Sequence, residues 1–212
     1  MNAVITGDII NSRKSRQDKW QAPLKKLLSR FGKFPKDWET SRGDSFQVEI
    51  REPEKSLLAA ITIKALVKSL GIKKMDVRLA IGIGEISYHA PRISDASGTA
   101  FIYAGEKFET LKKIKQNLAI KTAWPSTDRE INLMLRLALI AMDKWTVPSA
   151  ELAFLIFMEK YSTGKILSQK ELEIKLKLKQ SSVSERHTRA QIDEIKDLLE
   201  YFSNRIKNPL TS

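Results

Sequence analysis

Two aspartates stand where carboxylates have unusual company. Asp8 interrupts the apolar stretch AVITGDII, between Gly7 and Ile9. Asp44 stands in SRGDSFQVEI, where alternation on each side of Arg42-Gly43-Asp44 reads as a hairpin. Brought together, the two carboxylates form a hard-oxygen site for Mg²⁺ or Mn²⁺, ions that keep waters and take further ligands from substrate phosphates. Two such ions roughly 3.5–4 Å apart clamp an in-line phosphoryl transfer. Basic residues follow Asp8 at Arg13, Lys14 and Arg16, and Arg42 precedes the hairpin aspartate. Arg13, Lys14 and Arg42 are therefore the candidates for meeting nucleotide phosphates. The same spacing also fits a plainer role, in which Asp8 ends a strand and Asp44 makes a turn.

The elements that must position this pair are legible along the first part of the chain. Residues 2–10 read as a strand. DKWQAPLKKLLSRFG has helical spacing of Trp20, Leu24, Leu27, Leu28 and Phe31. After the hairpin, EKSLLAAITIKALVKSLG is a second helix ended by Gly71. DVRLAIGIGEISY reads as a strand, GTAFIYAGEKFETLKKIKQ as a helix starting near Gly98, and NLAIKTAW as a last strand. The order βαββαβαβ predicts an α+β fold with a ferredoxin-like βαββαβ core plus an extra helix and strand. In that core the first strand is central and neighbours the third, which brings Asp8 and Asp44 to one end of the sheet.

Beyond Pro125 the strand patterns stop. TDREINLMLRLALIAMDKW reads as an apolar helix capped by Thr127 or Asp128, and VPSAELAFLIFMEKY as another. We place a domain boundary here, with residues 1–125 as the α+β domain and 126–212 as an all-α domain. LSQKELEIKLKLKQSSVSERHTRAQ then gives a short helix, a polar turn and a second helix starting at Ser181 or Ser182, a helix-turn-helix pattern. Ser182, Ser184, Arg186, Thr188 and Arg189 are the candidates for contacting double-stranded DNA, with Lys175, Lys177 and Lys179 flanking the backbone. The alternative is a helical hairpin that only packs on its neighbours. With no Gly or Pro, the second helix is expected to run on to about Arg205. Its apolar positions Ile192, Ile195, Leu198, Leu199 and Phe202 would form a homodimer seam or dock onto the preceding helices.

Composition narrows the classes. The 212 residues include no cysteine and only two histidines, His89 and His187, which argues against thiolate metal sites, disulfides and a histidine zinc site. No secretory signal pattern opens the chain, and the longest apolar stretch, Leu133 to Met142, is interrupted by Arg136. A cytoplasmic protein without membrane partners is expected. The net charge is +12, of which residues 1–125 carry +10. Such an excess suits phosphate-bearing partners, whether nucleotide or nucleic acid, or else a lysine-rich surface with no partner.

GDII, RGDSF and VRLAIGIGEIS together resemble the catalytic domain of class III nucleotidyl cyclases over roughly residues 1–124. The resemblance implies that Asp8 and Asp44 carry the metal, with the main-chain carbonyl of Ile9 as a further ligand. It also places the base-reading lysine of that family on Thr40, and its transition-state Asn and Arg on Ile102 and Glu106. An acidic side chain cannot stabilise phosphate charge as Arg does, so ordinary cyclase activity is not expected. The order GDIINSRK, RGDSFQ, AIGIGEI, SGTAFIYAGEKFETLK and SSVSERHTRAQ resembles the SatD family nearly end to end. That resemblance implies a cyclase-like domain followed by a helix-turn-helix. The function expected from it is regulatory DNA binding, with a degenerate cyclase-like domain that binds a nucleoside triphosphate, a divalent metal or both. The alternative is a metal-dependent nucleotidyl cyclase or nucleotidyltransferase.

Overall fold

The computed structural model of the chain describes residues 1–208 except Ser15 and Arg42, and of Lys14 it describes the main chain alone. Strand β1 spans Asn2–Ile10. Successive side chains of a strand point to opposite faces. Ala3, Ile5 and Ile9 accordingly enter the main core, while Val4 packs on the other face with Ala100 and Ala104. Asp8 lies on the Val4 face.

β1 is the middle strand of a mixed five-stranded sheet ordered β2 (Trp38–Ser41), β3 (Ser45–Ile50), β1, β4 (Asp76–Gly84), β5 (Leu118–Lys121). It runs antiparallel to both β3 and β4, and β5 is parallel to β4. Gly43 turns the β2–β3 hairpin at φ 84°, a left-handed conformation that glycine adopts without a Cβ penalty.

Helices α1 (Asp18–Phe31) and α2 (Ser56–Ser69) share the core face of the sheet, and α3 (Thr99–Ile114) covers β4 and part of β1 on the other. The approach of α3 is close: a Cβ at Gly82 would strike the main chain of Ala100 and Ala104. This explains the small residues of AIGIG. Helix α2 is buried from Ser56 to Val67 because the sheet packs on one side and α5 (Val147–Thr163) on the other. Its fully buried Lys64 is matched by two carboxylates, with Nζ 2.8 Å from Asp76 and 2.7 Å from Asp143. A buried ammonium needs such partners, since desolvating an unpaired charge is prohibitive.

Helix α4 (Pro125–Met142) closes the β5 edge. The Asn132 amide donates to the Ile120 carbonyl at 2.9 Å and accepts from the Ile120 N–H at 2.8 Å. Asp128 Oδ1 accepts from the Thr122 N–H at 2.9 Å. Thr127 and Asp128 therefore do not cap α4. The helix starts earlier, at Pro125, whose fixed φ suits the first helical position, and Thr127 is fully buried.

Three further helices follow: α6 (Gln169–Leu176), α7 (Gln180–Arg189) and α8 (Ile192–Lys207). The expected continuous helix to about Arg205 is broken at Gln191, which takes φ 54°. No Gly or Pro encodes the break. Tertiary packing does: Ala190 is fully buried, and its carbonyl accepts from Trp145 Nε1 at 2.9 Å. Ile192, Ile195, Leu198, Leu199 and Phe202 turn inward to the same apolar core that holds the sheet, so this face of α8 docks within the chain. Among the described residues no helix is long and apolar enough to cross a membrane.

Candidate functional site

The C-terminal end of β1 opens into a cleft of about 380 Å³ whose charged lining is Asp8, Asp44, Arg13 and Arg78. Strand register assembles it. Asp8 pairs with Ser45 on β3, next to the hairpin turn, and with Arg78 on β4. The Ile9 N–H donates to the Asp44 carbonyl at 3.0 Å and pins the turn against β1. After β1 the chain enters a short 3₁₀ turn, Ser12–Lys14, from which the buried Ser12 hydroxyl donates to Asp44 Oδ2 at 2.7 Å.

Arg78 answers Asp8 directly. Its Nη1 lies 3.3 Å from Asp8 Oδ2 and 3.5 Å from Oδ1. The Nε of the same guanidinium is buried and has no hydrogen-bond partner among the described residues. Burial pushes the Asp8 carboxyl above its ordinary range. The Arg78 and Lys112 cations pull it back, and the Asp44 carboxylate adds to the upward push. Desolvation wins over the two cations. The influence of Asp44 means that the carboxylates are near enough to repel each other.

The structure thus brings Asp8, Ile9, Asp44 and Arg13 to one cleft. Ile9 buries its side chain in the core, so only its main chain is available there. Arg13 is exposed at the rim. Arg42 and the side chain of Lys14 lie outside the described residues. Arg78 and Ser12 are the cleft residues that sequence reading missed, and Lys112 acts on Asp8 through its charge alone. Arg78 had a signal: it is the one basic residue inside the strand DVRLAIGIG. Placing it opposite Asp8 needs the β1–β4 register, which the sequence does not print. Ile102 is 56% exposed, and Glu106 is turned to Lys121 on β5. Neither faces the cleft.

The donor set is all oxygen: two carboxylates, the Ser12 hydroxyl and main-chain carbonyls. That chemistry fits Mg²⁺ or Mn²⁺. Among the described residues no group of three Asp, Glu or His side chains converges. A cation held by Asp8 and Asp44 would take its remaining ligands from water and phosphate.

At the other end of the chain, α6 and α7 are joined by three residues, with Lys177 at φ 55°. Ser168 opens α6 with a capping box to Glu171. The hydrogen bond from Lys165, with those from the Ser168 N–H and hydroxyl, holds the Glu171 carboxyl down at about 2. Leu172 and Val183 lock the two helices into the core. Ser184, Thr188 and Arg189 are exposed, as are Lys175, Lys177 and Lys179 around the turn. Ser182 is half-buried. Arg186 is directed to Glu151 on α5, at 3.1 Å, and Arg189 pairs with Glu185 at 2.6 Å.

These features describe an α+β protein with a mixed five-stranded sheet, a polar cleft at the end of its central strand and a helical C-terminal third. The chain belongs to the SatD family, whose family model matches residues 2–205. No curated protein matches it. No solved structure matches it.

Proposed function

We propose that the protein is a cytoplasmic regulatory DNA-binding protein whose cyclase-like α+β unit binds a nucleotide together with Mg²⁺ or Mn²⁺. The observation that carries the reading is the cleft at the end of β1, where the Asp8 and Asp44 carboxylates share one space with two arginines. A divalent cation relieves the repulsion between Asp8 and Asp44, and Arg13 and Arg78 meet the phosphates that complete its shell. The antiparallel order β2-β3-β1-β4 supports a ferredoxin-like core of the nucleotidyl cyclase type. The three-residue turn between α6 and α7, with exposed Ser184, Thr188 and Arg189, supports a helix-turn-helix.

Thermal unfolding with Mn²⁺ and each nucleoside triphosphate tests the first half. A ligand at 100 times its dissociation constant stabilises by about 2.7 kcal/mol, and Asp44→Asn abolishes the shift. Fluorescence anisotropy with random duplex DNA at low salt tests the second. A wild type indifferent to every triphosphate with Mn²⁺ overturns the nucleotide reading, and absence of DNA affinity overturns the regulatory one.

A further inference from the structure

Helix α4 leaves Leu133, Leu137 and Ile140 exposed by 50%, 62% and 61%. Their spacing puts them on one outward ridge. Beside the ridge runs a groove of about 540 Å³ between α4 and α8, floored by Met134, Ala138, Ile195 and Leu198. The far wall of the groove is acidic, with Glu194 and Asp197 on α8. On the opposite side of the ridge α4 presents exposed Arg129 and Arg136. Among the described residues none of these four charged side chains has an ion-pair partner.

The order across this surface is acidic wall, apolar groove, apolar ridge, basic rim. A two-fold axis parallel to α4 reverses the order, so that each stripe meets its complement: ridge enters groove twice, and basic rim meets acidic wall twice. Self-complementarity of this kind is the condition for an isologous contact. A charged patch built for a different partner has no reason to carry both signs in mirrored sequence. We infer that the α4–α8 surface is a homodimer interface, with parallel α4 helices each seating its ridge in the other's groove. The inference stands independently of the β1 cleft and of DNA binding.

Sedimentation velocity of the full chain tests it, with circular dichroism as the control for folding. Wild type sediments as a dimer. Leu137→Glu sediments as a folded monomer, since a side chain this exposed is free of the core. Asp197→Arg weakens the dimer by roughly tenfold, as expected for an ion pair at the rim, and adding Arg136→Asp restores it. A monomeric wild type, including one that captures a foreign basic helix in this groove, overturns the inference. So does a dimer that survives Leu137→Glu, or an Asp197→Arg defect that the charge swap leaves unrepaired.

Discussion

The guanidinium of Arg78 lies 3.3 Å from the carboxylate of Asp8, across the central pair of antiparallel strands. Burial nevertheless keeps the Asp8 carboxyl above its ordinary value of 3.8. The folded protein therefore holds this proton more tightly than the unfolded chain does. Between 3.8 and the raised folded value, stability falls as pH rises, and the full cost is present above that value. Asp8→Asn removes the cost, so it leaves neutral-pH stability equal or higher in metal-free protein. Its advantage over wild type vanishes below 3.8. Urea unfolding at neutral and acidic pH checks this, and a mutant less stable at pH 7 but equal in acid would reverse the sign. Arg78→Met pushes the Asp8 carboxyl further up, read by carboxyl-carbon NMR titration.

Incubation with ATP or GTP and Mn²⁺ yields little or no cyclic nucleotide. The cleft supplies carboxylates and arginines from β1, the turn after it, the β2–β3 hairpin and β4. The positions where the cyclase resemblance calls for transition-state donors are an exposed Ile102 and a Glu106 committed to Lys121. Mass spectrometry of the products decides the matter. Turnover that disappears in Asp44→Asn would establish the enzyme instead.

The break between α7 and α8 depends on Trp145. Its indole donates to the Ala190 carbonyl, and both residues are buried. Trp145→Phe keeps most of the apolar volume and leaves that carbonyl unsatisfied, at a cost of about 1–3 kcal/mol. Equilibrium unfolding in urea gives the value. A loss well under 1 kcal/mol would mean that the bend is held by apolar packing alone.

Arg186 and Arg189 lie almost one helical turn apart, yet the proposed DNA binding should separate them. Arg189 is exposed and paired only within its own helix, to Glu185, whereas Arg186 is half-buried and held against Glu151 on α5. Arg189→Ala or Lys177→Ala weakens DNA binding on all sequences and lowers the log–log salt slope by about 0.9 for each phosphate left unneutralised. Arg186→Ala leaves the slope unchanged and costs roughly 0.2–1 kcal/mol of stability, the range for a partly exposed ion pair. Anisotropy titrations at several salt concentrations, run beside unfolding curves, make the comparison. A slope lowered by Arg186→Ala instead would assign that side chain to the DNA.

Local periodicity is enough to read β1, the hairpin around Gly43 and the helices α1, α2 and α3, because each rests on short-range pattern and turn chemistry. The neighbours of Asp8 are not readable in the same way. Arg78 reaches it only through strand register, across 70 residues of chain. Gln191 gives no local sign of a helix break, since the left-handed turn is held by Trp145 from far along the chain. Thr127 and Asp128 mislead as caps for a related reason. Asp128 serves the β5 edge, and nothing local distinguishes that task from capping.

His187 makes the α7–α8 junction sensitive to acid. Its ring is half-buried and lines one cleft with Leu172 and Val183, and its Nδ1 lies 3.6 Å from Asp193. Burial holds the imidazole below its ordinary 6.5. Asp193 and Glu194 pull it up, Lys196 pushes it down, and desolvation prevails. The unfolded chain therefore binds a proton at His187 more readily than the folded one. Stability from this site is complete above 6.5 and is lost as pH falls through that value toward the lower folded one. His187→Gln, a polar replacement that does not titrate, removes that part of the pH dependence. Unfolding midpoints measured across this range for both proteins should converge or cross on the acid side, with the wild type falling more steeply. Proton NMR of the His187 ring gives an independent reading, and titration above 6.5 would place the Asp193 and Glu194 carboxylates, rather than burial, in control.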